Sequence, residues 1–154
     1  IRRKSKLMEE FDNEQEQSSQ PELDVTVFVY GTLKSGGEVR GLDLFNEHSS
    51  IVGRAKTVYP DYEMIDLGAF PGVLTQGTNY IEGEVWNVSK QAAEELDAIE
   101  GYPDFYNKLK VDTTKGKAVM YFLDRKAYKK YIGPSEQIEE IVDSQENITQ
   151  TWIG

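Results

Sequence analysis

From Val25 to Asp124 the chain alternates short runs of β-branched and aromatic residues with Gly, Pro, Asn and Asp, and one clear stretch breaks the rhythm. The runs are VTVFVY, IVGRAKTVY, YEMIDL, YIEGEVWNV, NKLKVDT and KAVMYFLD. Segments of this length and composition pair into a mostly antiparallel sheet or a barrel. In YIEGEVWNV, Ile81, Gly83, Val85 and Asn87 fall on one side, while Glu82, Glu84, Trp86 and Val88 fall on the other. Two mixed faces with a central glycine suit a strand that bends around a small barrel. The exception is SKQAAEELDAIEGYP, residues 89–103. Ser89 is an N-cap, Ala92, Ala93, Leu96 and Ile99 recur at helical spacing, and Gly101 followed by Pro103 ends the helix. A weaker helix is read over residues 38–48 through Val39, Leu42 and Phe45.

At 154 residues the chain supports one domain with a core of its own. Residues 1–24, basic and then rich in Glu, Gln and Ser, read as a flexible charged arm. Residues 25–133 hold the domain, and 134–154 read as an acidic tail able to re-attach through Trp152. Lys and Arg number 17 against 27 Asp and Glu, a net charge of −10 with no basic stripe, so nucleic acid is not an expected partner. No apolar run approaches the roughly 20 residues of a spanning helix, so no membrane partner is expected, and IRRKSKLMEE lacks the apolar core of a secretory signal. The sequence has no cysteine, which removes disulfides, thiolate nucleophiles and cysteine metal sites and fits a cytoplasmic protein. The only histidine, His48, lies beside Glu47 and Ser49 without a nucleophile motif and reads as a surface group. Any proton-transfer group is then expected to be a carboxylate.

On the helix, Ala92, Ala93, Leu96 and Ile99 define the apolar face. Glu100 lies at its edge, Glu94 points away, and Glu95 and Asp97 fall well off it. Glu100 also occupies the last turn, where the helix dipole and partial burial both raise a carboxyl pKa toward that of a general base near neutral pH. By pattern alone, however, Glu100 reads sooner as a solvated last-turn acid. In VFVYGTLKSGG, Gly31 ends a strand, either as a simple bend or to bare backbone for a ligand. Gly31 and Gly36 have the gap of a phosphate-binding loop, but Gly37 stands where lysine is required, so that reading fails. Tyr106 and Tyr121 offer hydroxyl donors to a polar substrate, or serve as amphipathic core residues.

The order of YGTL, YEMIDLGAFPGVL, IEGEVWNV, LDAIEGYPDFY and AVMYFL resembles the gamma-glutamylcyclotransferase-like superfamily, nearest its gamma-glutamylamine and small bacterial branch, over roughly residues 25–125. The resemblance implies an α+β fold, a small mostly antiparallel β-barrel with flanking α-helices and a central cavity. It implies cyclisation of a γ-glutamyl amine or γ-glutamyl amino acid to 5-oxoproline with release of the free amine, and no cofactor or metal. It assigns Glu100 as the acid/base, and Tyr30, Gly31, Thr32, Leu33, Tyr106 and Tyr121 to binding the small-molecule γ-glutamyl substrate. The competing reading keeps the same fold and cavity as a non-catalytic module for a small ligand or a protein.

Overall fold

The structure, a computed structural model, describes residues 22–31, 42–124 and 135–154. The arm read over 1–24 lies almost wholly outside those residues, as do Thr32, Leu33 and the first part of the helix read over 38–48. In chain order the elements are β1 (Val25–Val29), α1 (Asp43–Glu47), β2 (Ser49–Lys56), β3 (Tyr62–Asp66), β4 (Pro71–Thr75) and β5 (Tyr80–Val88). They continue with α2 (Lys90–Ile99), β6 (Asn107–Thr113), β7 (Gly116–Phe122), β8 (Ile138–Val142) and β9 (Ile148–Trp152).

Seven strands form the main sheet in the order β6–β7–β1–β5–β9–β8, with β2 on β5 as well. The β5 strand is the hub. It runs antiparallel to β1, with Val25 opposite Val88 and Val29 opposite Glu84, and antiparallel to β2, with Ser49 opposite Val88 and Lys56 opposite Glu82. Its first residues pair in parallel with β9 (Tyr80 with Thr149), and β1 meets β7 in parallel at Val27 and Val119. A bulge between Ile51 and Gly53 bends β2 along β5. The outer strands then curl until Thr57 bridges Thr113, the Val58 N–H donates to the Asp112 carbonyl (2.9 Å) and the Thr114 N–H donates to the Lys56 carbonyl (3.0 Å). The fold is α+β and mostly antiparallel, but the barrel is not fully closed. Only the residues just beyond Lys56 reach β6, so the last seam is a bridge instead of a ladder. The β3–β4 hairpin forms a separate two-stranded sheet.

Alternation along the strands divides the interior in two. Val27 and Val29 of β1, with Trp86 and Val88 of β5, face Phe45 of α1 and Ala92 and Leu96 of α2. Phe28, Ile81, Val85, Met120 and Trp152 pack on the opposite face. Burial of each large aliphatic side chain contributes about 1.5–3 kcal/mol. Gly83 permits the β1–β5 crossing, since a Cβ there would lie 2.3 Å from the Val29 carbonyl oxygen.

The acidic stretch read as a tail is a hairpin. Strands β8 and β9 pair antiparallel from Ile148–Val142 to Trp152–Ile138, and Trp152 is buried. The Gln150 carboxamide oxygen accepts the Met64 N–H (2.7 Å), and Gln137 donates to the Asp66 carboxylate (2.9 Å) and the Gly68 carbonyl (3.0 Å). The hairpin therefore holds β3 and the loop that follows it.

Candidate active site

Helix α2 begins where the sequence says it should. Ser89 caps it, its hydroxyl accepting the Ala92 N–H at 3.0 Å. The other end decides where Glu100 points. Gly101 takes φ +68°, its N–H donates to the Ala98 carbonyl (3.2 Å), and the Tyr102 N–H donates to the Asp97 carbonyl (2.9 Å). These two bonds and the left-handed glycine make a Schellman turn with Glu100 as C-cap. The turn folds the chain back on itself, so that the Phe105 N–H donates to the Gly101 carbonyl (2.7 Å) and the Tyr106 N–H to the Glu100 carbonyl (3.4 Å). In this way the local sequence EGYPDFY brings Glu100 and Tyr106 together.

Both residues line a cavity of about 390 Å³. Phe28, Val29, Tyr30 and Gly31 come from β1 and its end, Tyr121 from β7, and Ala69, Phe70 and Pro71 from the loop before β4 and its first residue. Ile99 and Phe105 stand at the mouth, about half exposed, and the Phe105 ring packs edge-on to Tyr106 and Phe70. Among the described lining residues, Glu100 carries the only carboxyl, and there is no cation. Burial raises the Glu100 carboxyl from 4.5 to about 7. Glu100 is half-buried in this wall, and not the fully solvated last-turn acid that its pattern alone favours.

The tyrosines depart from the simple donor role. The Tyr30 hydroxyl donates to the Tyr121 carbonyl (2.7 Å), and its oxygen is faced by the Val73 N–H, so it ties β1 to its neighbours. The Tyr106 hydroxyl donates to the Pro71 carbonyl (2.7 Å), and the Tyr121 hydroxyl to the Asp97 carboxylate (2.6 Å). Each O–H is already committed to a protein acceptor. Burial, first, and the neighbouring carboxylates raise the pKa of Tyr106 and Tyr121, so both remain neutral phenols. Gly31 also has a packing reason for lacking a Cβ, which would sit 3.1 Å from the Pro71 ring.

Asp97 and Glu95, read as lying off the face, both have partners. Asp97 accepts from Tyr121 and from the Lys108 ammonium (2.7 Å), whose charge also lies 4.4 Å from the Tyr102 ring centroid. Glu95 caps α1, accepting the Leu44 N–H (3.1 Å) and the Phe45 N–H (2.9 Å). The sequence signal for Asp97 was its position one turn before Glu100, with a lysine on the next strand. His48 ends α1, does not line the cavity, and offers its carbonyl to the Ser89 N–H (3.1 Å). Among the described residues there is no cluster of three potential metal ligands and no helix long and apolar enough to cross a membrane.

Residues 27–143, from β1 through β8, match the family model described as gamma-glutamyl cyclotransferase, AIG2-like. A Vibrio cholerae relative with a provisional gamma-glutamylcyclotransferase name is 37% identical over 95 residues, covering 62% of this chain and 78% of its own. A Methanocaldococcus jannaschii relative with the same provisional name is 33% identical over 86 residues, covering 55% of this chain and 68% of its own. The fold is shared with the crystal structure of an AIG2-like protein from Mus musculus (TM-score 0.57, 24% identity, 73% of this chain and 86% of that one). Motif order, fold and family match agree, and the chain belongs to the AIG2-like gamma-glutamyl cyclotransferase family.

Proposed function

We propose that this protein cyclises a γ-glutamyl amine or γ-glutamyl amino acid to 5-oxoproline and releases the free amine, with Glu100 carrying the proton. The observation that supports this most is the half-buried Glu100 carboxyl, raised to about pKa 7 in a cavity of substrate size. The reaction starts with proton transfer from the substrate's α-ammonium, whose ordinary pKa is about 8. A carboxylate at 4.5 would accept that proton uphill by about 5 kcal/mol, whereas one near 7 does so for about 1.4 kcal/mol. The freed α-amine attacks the γ-carbonyl carbon and closes a five-membered ring. The ring nitrogen gives up its second proton to solvent, and the bond to the leaving nitrogen breaks as Glu100 returns the first proton to it, so that the free amine departs. Nucleophile and electrophile share one molecule, so the cavity need only hold the ring-closing conformer, which is worth several kcal/mol of the barrier. The backbone around Gly31 is the proposed support for the substrate carboxylate or the developing oxyanion. Tyr30, Tyr106 and Tyr121 shape the remaining wall. Thr32 and Leu33 keep the substrate role that the family motif gives them, although they lie outside the described residues.

The test is mass-spectrometric detection of 5-oxoproline from γ-glutamyl-ε-lysine, γ-glutamyl-alanine and glutathione, with wild type and Glu100→Gln run together. Wild type is expected to form product from at least one compound, and Glu100→Gln to be slower by at least about 100-fold. Near-normal turnover by a folded Glu100→Gln variant rules out the assigned base. Release of free glutamate in place of 5-oxoproline rules out cyclisation.

A further inference from the structure

With Glu100 ionised, the described side chains of the cavity wall contain no free hydrogen-bond donor. Tyr30 donates its O–H to the Tyr121 carbonyl, Tyr106 to the Pro71 carbonyl and Tyr121 to the Asp97 carboxylate, and the remaining polar side chain is the Glu100 carboxyl. A phenol whose O–H is already used presents only lone pairs to whatever else approaches it. The orientation of Tyr121 is set from outside the cavity, because Asp97 accepts from the phenol with one oxygen and from Lys108 with the other. Resting on Glu100 as the proton carrier proposed above, we propose that Asp97 is a positioning residue. By holding the Tyr121 O–H it makes this phenol a hydrogen-bond acceptor for the substrate's α-ammonium group, beside the Glu100 carboxylate.

An ammonium brings three donors and no acceptor, so a wall of lone pairs and one carboxylate matches it. A donating Tyr121 would do the reverse. It would turn its O–H toward the Glu100 carboxylate, stabilise the ionised form and weaken the base. The groups around Glu100 are Tyr30 from β1, Tyr106 after the turn, Tyr121 from β7, and Asp97 on its own helix with Lys108 bound to it.

Asp97→Asn separates polarity from shape. Lys108 claims the amide oxygen, leaving the NH₂ facing Tyr121, so the phenol must accept from Asn and release its own O–H into the cavity. The readout is the pH titration of the Glu100 side-chain carboxyl by carbon-13 NMR in ligand-free protein, assigned by its loss in Glu100→Gln. It is followed in wild type, Asp97→Asn, Tyr121→Phe and the double variant Asp97→Asn/Tyr121→Phe. Asp97→Asn is expected to lower the Glu100 titration by about one pH unit when Tyr121 is present, and to have little effect when the phenol is absent. An equal shift with and without the phenol reduces Asp97 to a plain charge and overturns the proposal, as does no shift at all. If Asp97→Asn does not fold, Asp97→Ser, whose hydroxyl is too short to reach Tyr121, takes its place with the same expectation. No substrate is used, so a failed titration is distinct from a failed product assay.

Discussion

Glu100 is held where an ionised carboxylate is unwelcome, and that has a signature in stability as well as in chemistry. Its folded-state pKa of about 7 lies above the ordinary 4.5. Below the ordinary value the group is protonated whether folded or unfolded, and its contribution to stability is fully present. Between the two values only the folded state keeps the proton, and above about 7 folding must bury the charge, so stability falls as pH rises through this window. A shift of this size corresponds to about 3 kcal/mol at most, and the partial exposure of Glu100 brings the effect nearer 2 kcal/mol. Glu100→Gln should therefore match wild type in denaturant unfolding at pH 4 and exceed it by about 2 kcal/mol at pH 9. If the gap between the two proteins is the same at both pH values, burial is not the cause of the raised pKa. The rate profile should show the same group, with kcat/KM rising through about pH 7 as the base loses its proton.

At the scale of elements, the site depends on β1 meeting β5 at a distance that only glycine allows. Gly83→Ala would force its new methyl against the Val29 carbonyl, 2.3 Å away, at the end of the strand that leads into Tyr30 and Gly31. Overpacking of this kind costs about 1–3 kcal/mol. The expected outcome is a lower denaturation midpoint together with reduced turnover, since the strand cannot move without moving the cavity wall. Unchanged stability would mean that β1 and β5 part freely, against the ladder between them. Much of this was legible beforehand. The alternation in YIEGEVWNV gave both faces of β5, and Ser89, Leu96 and Gly101 gave α2 with the position of Glu100, because caps and periodicity are local signals. What stayed hidden was non-local. IEEIV carries two glutamates in five residues and ITQTW is largely polar, so neither announces a strand, and their pairing comes from β3 and β5 far away in the chain. The donor direction of Tyr121 likewise depends on a carboxylate 24 residues distant in sequence.

The C-terminal hairpin makes the cavity a property of the whole molecule. Trp152 covers the core face formed by Phe28, Met64, Ile81 and Val85, whereas Gln137 binds Asp66 and Gly68 at the start of the loop that carries Ala69 and Phe70 to the cavity. The two residues therefore serve one hairpin in different ways, and their variants should separate. Trp152→Ala removes a buried indole and should cost about 3–5 kcal/mol, seen as a large fall in the unfolding midpoint. Gln137→Ala removes only a tether, leaving the core intact. Its midpoint should move little, while KM rises several-fold more than kcat falls, because the loop that forms one wall of the cavity is no longer pinned in its bound position. If Gln137→Ala leaves KM unchanged, the loop after β3 holds its place without the hairpin. The C-terminal segment then supports the fold alone and has no part in the site.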